Sequence, residues 1–250
     1  MKPVSDLKVK IFGDGADKAS ILELYRQPYI KGFTTNPTLM RKAGVTDYEI
    51  FAAEILRHIP DRPISFEVLA DEEAEMERQA RQIASWADNV YVKIPVTNTR
   101  GEPMYKLVQR LSAEGIRINI TALLTINQVR RSCAALRGGA PSYISVFAGR
   151  IADTGRDPIP VMRQALEAIA LQPQIELVWA SPRELLNIFQ ADEIGCHIIT
   201  VTNDILAKLP LIGKDLNAYS LDTVRMFYDD AVKAGYKLEP LEAISHRDGR

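Results

Sequence analysis

Short apolar, β-branched runs recur along the chain, and most are separated by longer stretches whose apolar residues return at helical spacing. The runs predict strands at Val9 to Phe12, Lys31 to Thr34, Ile64 to Leu69, Val90 to Ile94, Ile116 to Ile120, Tyr143 to Phe147, Glu176 to Trp179 and His197 to Val201. The longer stretches predict helices at Tyr48 to His58, Glu73 to Trp86, Met104 to Glu114, Ile126 to Leu136, Ile159 to Leu171, Arg183 to Ala191 and Leu221 to Ala234. Helices after the first strand and around Asn203 to Ala207 are expected to be short. Strands buried on both faces, each followed by a helix, form a parallel sheet.

Eight such units in 250 residues match a closed (β/α)8 (TIM) barrel better than an open doubly wound sheet, which has fewer strands and a glycine-rich first turn. Neither GxGxxG nor GxxxxGK[ST] occurs. Past Pro210 and Gly213 the pattern gives one additional C-terminal helix, then a polar tail, about 236–250, expected to be mobile. With no internal repeat or proline-rich linker, one domain is expected over residues 1–250.

Charge changes this picture little. With 31 basic and 32 acidic residues the formal net charge is -1, so nothing in the balance draws the chain to nucleic acid or to an anionic membrane, and any anion site must be local. The two cysteines, Cys133 and Cys196, lie far apart without metal-ligand spacing, which fits a reducing cytoplasm. No apolar run approaches the roughly 20 residues of a membrane span, and MKPVSDLKVKIFGDGAD lacks the apolar core of a signal peptide. A soluble, cytoplasmic protein is expected.

In such barrels the active site lies at the carboxyl ends of the strands. Seven of the eight predicted ends carry polar residues: Asp14; Thr35 and Asn36; Glu67; Lys93; Asn119 and Thr121; Ser145 and Arg150; Ser181 and Arg183. Lys93 in VYVKIPVT is the most informative, because an ammonium on an apolar strand is costly to leave ionised and unpaired. Desolvation would lower its pKa from roughly 10.4, and a neutral amine can attack a ketone to form an iminium that stabilises a neighbouring carbanion or enamine. Alternatively Lys93 snorkels to the rim or pairs with a carboxylate.

Asp14 and Glu67 offer proton transfer, or else a helix cap in GDGADKAS and a salt bridge to Lys93. Asn36, Asn119 and Thr121 suit sugar hydroxyls and a catalytic water, although Asn36 ahead of Pro37 also suits a turn. Arg150, Ser181 and Arg183 form a set able to clamp a phosphate dianion. His58, His197 and His246 fit no catalytic role, and no metal ligand set emerges.

KGFTTNPTLM, ISFEVLA, VYVKIPVT, INITALLT, ISVFAGRI and WASPRE resemble, in order and spacing, the strand motifs of transaldolases. The resemblance runs from about Ile11 to the final helix. It implies a Schiff-base lysine at Lys93, a catalytic aspartate at Asp14, and a glutamate working through a water at Glu67, beside the Asn119 and Thr121 pair. It further implies substrate contacts from Thr35, Asn36, Ser145, Phe147 and Arg150, with Ser181 and Arg183 holding phosphate.

The reaction implied is transfer of a dihydroxyacetone unit from fructose 6-phosphate or sedoheptulose 7-phosphate to an aldose phosphate, within the pentose phosphate pathway and without metal or organic cofactor. Fructose 6-phosphate aldolases resemble the family but carry glutamine and tyrosine where this chain has Glu67 and Phe147, so the resemblance favours transfer. Glycine after Asp14, SVF and SPR depart from the family's commoner residues near the pocket and leave open a different anionic ketose in a specialised pathway. A non-catalytic sugar-phosphate sensor would keep the arginines without reason to keep Lys93. The partners expected are sugar phosphates and copies of the chain, since the resemblance implies a homo-oligomeric ring, pentameric or decameric, built through the amphipathic C-terminal helix.

Overall fold

In a computed structural model, described over residues 2–238, eight parallel strands close in sequence order into a barrel. They are β1 (Lys10–Asp14), β2 (Ile30–Thr34), β3 (Ile64–Glu67), β4 (Val90–Pro95), β5 (Ile118–Leu123), β6 (Ser142–Val146), β7 (Ile175–Trp179) and β8 (Ile198–Thr202). All eight predicted strands exist, and several run one to three residues further toward their carboxyl ends than the apolar runs suggest. Asp14, Glu67, Lys93, Asn119, Thr121 and Ser145 are part of the strands themselves.

The helices that follow are α1 (Lys18–Tyr25), α2 (Pro37–Lys42), α3 (Tyr48–His58), α4 (Glu73–Ala84), α5 (Tyr105–Ala113), α6 (Ile126–Ala135), α7 (Ala148–Ala152), α8 (Ile159–Ile169), α9 (Leu186–Glu193), α10 (Asn203–Leu206) and α11 (Leu216–Ala234). Local chemistry sets their starts. Asp17 accepts from the Ser20 amide at 2.8 Å to cap α1, Asp47 caps α3 through the Ile50 amide, and Thr125 with Gln128 forms a capping box on α6. The two helices not predicted, α2 and α7, span only six and five residues.

Alternation along each strand sorts side chains between the barrel interior and the helix layer. Phe33, Phe66, Val92, Ile94, Ile120 and Trp179 join the main apolar core. The floor of the interior is a separate cluster of Phe12, Tyr91, Tyr143, Val178 and Ile198, in which the Tyr91 and Tyr143 rings stack at 3.9 Å. Gly32 makes room for it, since a Cβ there would lie 2.6 Å from the Phe12 ring. All five side chains of this cluster are buried.

The described residues fall into two compact units, Lys2–Leu209 with the barrel and a second beginning at Pro210. In the second, Asp215 caps α11 through the Ala218 amide, and Gly235 ends it with φ +68°, a left-handed position that glycine occupies without Cβ strain. Most of the polar tail expected to be mobile, including His246, lies outside the described residues. No described helix is long and apolar enough to cross a membrane.

Candidate active site

At the carboxyl end of the strands a cavity of about 610 Å³ opens above the aromatic floor. Its lining includes Lys93, Asp14, Glu67, Thr121, Asn36, Asn119, Ser145, Phe147, Arg150, Ser181 and Arg183. Thr35 is not among the lining residues. Alternation turns Thr34 inward instead, and Thr35 contributes its backbone carbonyl, which accepts a hydrogen bond of 2.7 Å from Lys93 Nζ.

The β3–β4–β5 register sets Glu67 beside Lys93 and Lys93 beside Asn119. Lys93 is only 5% exposed, and its Nζ lies 3.0 Å from a Glu67 oxygen. The salt bridge offered as the bland role for Glu67 is therefore present, inside the cavity. Asn119, fully buried, donates to Ser65 at 3.0 Å and accepts from Ser145 at 2.7 Å, which fixes its amide on both sides. Thr121 Oγ1 is buried and has no hydrogen-bond partner among the described residues, although its residue lines the cavity. A ligand or water is the natural complement to such a hydroxyl.

Asp14 caps no helix; Asp17 does that. Its carboxylate accepts from Thr34 Oγ1 at 2.7 Å, and burial pushes its pKa up despite the Lys93 ammonium and the Thr34 hydrogen bond, with Glu67 adding to the rise. A carboxylate raised in this way is a better base near neutral pH than an exposed aspartate. Asn36 begins a helix where a turn was the alternative: its side chain accepts from the Leu39 amide at 3.0 Å to cap α2, with Pro37 at the first helical position, and the residue also lines the cavity.

Across the cavity, Arg150 on α7 and Arg183 after β7 are exposed. Gly149 lets these segments meet, since a Cβ there would fall 1.6 Å from the Ser181 carbonyl oxygen. Ser181 itself adopts φ +60°, and Ala122 on β5, two strands away, φ +65°. Non-glycine residues held there are strained, and such positions gather at functional sites. Arg183 is not free: its Nε donates to Asp153 at 2.9 Å and its Nη2 to the other Asp153 oxygen, and this pairing holds the Asp153 carboxyl below its ordinary range. Sequence reasoning did not single out Asp153. Arg150 lies over the Phe147 ring, 5.5 Å from its centre.

The eighth strand end, expected to carry nothing polar, supplies Thr200 and Thr202, with Asp204 following on α10. The strand extends one residue past Val201, which places Thr202 at its end, and alternation turns Thr200 inward. His197 lies before β8, away from the cavity, where its Nδ1 accepts from the Leu177 amide and burial lowers its pKa. Among the described residues no group of three or more His, Cys, Asp or Glu could hold a metal ion.

Fold and cavity together define an α/β barrel that gathers an amine, carboxylates and guanidinium groups where its strands end. Similar barrels include solved mandelate oxidases, one with a TM-score of 0.54 at 14% identity, covering 81% of this chain and 71% of that one. At that identity the likeness concerns the fold alone. Residues 11–249 match the family described as Transaldolase/Fructose-6-phosphate aldolase. A probable transaldolase of Dehalococcoides mccartyi is 35% identical over 218 residues, covering 86% of this chain and 97% of the relative. One from Streptococcus pyogenes serotype M5 is 37% identical with the same coverage. The chain belongs to the transaldolase/fructose-6-phosphate aldolase family and is an enzyme of the aldolase or transaldolase type.

Proposed function

We propose that this enzyme is a transaldolase, which moves a dihydroxyacetone unit from a ketose phosphate to an aldose phosphate through an imine on Lys93. The observation that carries the reading is the buried Lys93 amine, 3.0 Å from Glu67, in the same cavity as Asp14. Glu67 is placed to take the ammonium proton, leaving a lone pair to attack C2 of the ketose. The carbinolamine loses water, for which Glu67 and the unpartnered Thr121 hydroxyl are the adjacent groups. Asp14 takes the C4 hydroxyl proton, the C3–C4 bond breaks, and its electron pair passes into the iminium to give the enamine. An aldose phosphate leaves.

The enamine adds to a second aldehyde, Asp14 returns its proton to the new hydroxyl, and water hydrolyses the imine. Asn36, Asn119 and Ser145 orient the sugar hydroxyls. Arg150, Ser181 and Arg183 bind the phosphate; because Asp153 occupies the Nε and Nη2 edge of Arg183, the Nη1 side faces the anion. Transfer is favoured over free aldol cleavage because Phe147, beside the proposed imine site, would limit the water that protonates the enamine. The exposed apolar side chains of α11, among them Val224, Phe227, Tyr228 and Val232, offer a surface on which copies of the chain would assemble.

Borohydride reduction in the presence of fructose 6-phosphate tests the reading. A three-carbon adduct should appear on Lys93 by peptide mass spectrometry, and an unmodified Lys93 under turnover would sink the covalent mechanism.

A further inference from the structure

Thr34 Oγ1 stands between two oxygens. It is hydrogen-bonded to Asp14 Oδ1 at 2.7 Å and, on its other side, to Thr200 Oγ1. Thr34 and Thr200 are 3% and 5% exposed, so water does not substitute freely for either contact, and both line the cavity. The positions follow from the barrel: β1 lies between β2 and β8, Thr34 is in register with Asp14, and Thr200 is in register with Phe12, one inward step below.

Counting protons assigns the donors. An ionised Asp14 only accepts, so Thr34 must spend its single proton on Asp14, and the hydrogen bond between the two threonines must be donated by Thr200. Thr200 then offers the cavity a lone pair and no proton. When Asp14 is protonated the row can reverse: Asp14 donates to Thr34, Thr34 to Thr200, and Thr200 to an acceptor in the cavity.

We infer that Thr200 is a positioning residue for the proposed reaction, which acts through Thr34 to hold the Asp14 carboxylate in place and to match the direction of the hydroxyl row to the protonation state of Asp14. This inference rests on Asp14 being the base for the C4 hydroxyl. A hydroxyl that itself accepts a hydrogen bond is a stronger donor, so Thr200 strengthens the bond by which Thr34 stabilises the ionised carboxylate. Other charges on Asp14 come from Lys93 and Glu67 across the cavity, with Asp204, Arg150 and Arg183 along its walls. Asp17 and Lys42 share with Asp14 a smaller cavity at the edge of β1. Substituting Thr200 removes none of these.

The test uses T200V and T200S in the full chain. Valine keeps the shape and removes the hydroxyl. It should lower kcat roughly tenfold with little change in KM, the scale of a misplaced catalytic group. It should also move the acid limb of the kcat profile to higher pH, because the ionised carboxylate loses support. Serine restores the hydroxyl and should return the limb to the wild-type position. A wild-type limb in T200V, or a displaced one in T200S, overturns the inference. If valine prevents folding, judged by thermal melting, T200A removes the hydroxyl without adding volume and is read in the same way. Borohydride trapping on Lys93 is measured in parallel. A trapped adduct with an unmoved limb refutes the role of Thr200 alone, whereas absence of an adduct in the wild type refutes the imine itself.

Discussion

The two sides of the cavity handle charge in opposite ways. On the side of β1, β3 and β4, Asp14, Glu67 and Lys93 are drawn into the barrel and answer one another, with the ammonium also held by the Thr35 carbonyl. On the side of α7 and β7, Arg150 and Arg183 stand exposed, and the guanidinium of Arg183 is shared with an equally exposed Asp153. Desolvated groups resist the introduction of unmatched charge and respond strongly to each other, which suits proton and bond transfer. Hydrated guanidinium groups on long stems bind and release an anion without reorganising the interior. The contrast suits the proposed function, with chemistry on the first side and recognition on the second.

Removing the proposed nucleophile should break this contrast most severely. Lys93→Ala is expected to lower the exchange of labelled dihydroxyacetone between donor and acceptor by roughly 10³-fold or more, since among the described residues no other amine lines the cavity and loss of the proposed covalent nucleophile removes the whole pathway. Lys93→Arg should be equally inactive, because a guanidinium keeps its proton. Exchange within tenfold of the wild type in either variant would move the chemistry away from this side.

Arg183→Leu should act on the other side and more mildly. The group is nearly half exposed, so its anion contact is discounted to about 1.4 kcal/mol, or about tenfold in KM for a phosphorylated ketose. Little change in kcat is expected, and none in KM for the same ketose without phosphate. An equal rise in KM for both sugars would make Arg183 structural and erase the division between the two sides.

Legibility in the sequence followed the same division. The interior side was readable because a lysine inside Val-Tyr-Val-Lys-Ile-Pro-Val must snorkel, pair or react, and the polar residues at the neighbouring strand ends fell in register beside it. The strands themselves were readable because β-branched runs between turn residues carry a two-residue period into a closed barrel. Misses arose where one residue of offset matters. Thr35 rather than Thr34 was placed at the pocket because the strand phase was not known, and the eighth strand looked bare because its polar residues, Thr200 and Thr202, sit within and just beyond the predicted run. The helix α2 was hidden by Asn36-Pro37, which reads as a turn and is also a helix start. Asp153 carries no local signal; its pairing with Arg183 spans 30 residues and exists only once β6 and β7 lie side by side.

The mildest prediction concerns stability. Burial raises the pKa of Asp14, so the folded protein holds that proton more tightly than the unfolded chain does. The sign follows directly. As pH rises from the ordinary aspartate value of 3.8 through the folded value, the unfolded chain gives up its proton first, and stability falls until the folded group has ionised as well. Above 3.8 the wild type therefore carries a cost for this buried carboxyl group that the unfolded chain does not. Asp14→Asn carries none of it and keeps a group able to accept from Thr34, so it should melt at a higher temperature than the wild type at pH 7 while losing turnover. The difference should close as pH falls below 3.8, where both proteins are neutral at this position. Titrating groups remote from Asp14 are common to the two chains and cancel in the comparison, which leaves Lys93 and Glu67 as the groups that respond to the loss of its charge. A lower melting temperature for Asp14→Asn at pH 7 would mean that attraction to Lys93 outweighs desolvation, and that the interior charges stabilise the barrel instead of straining it for the reaction.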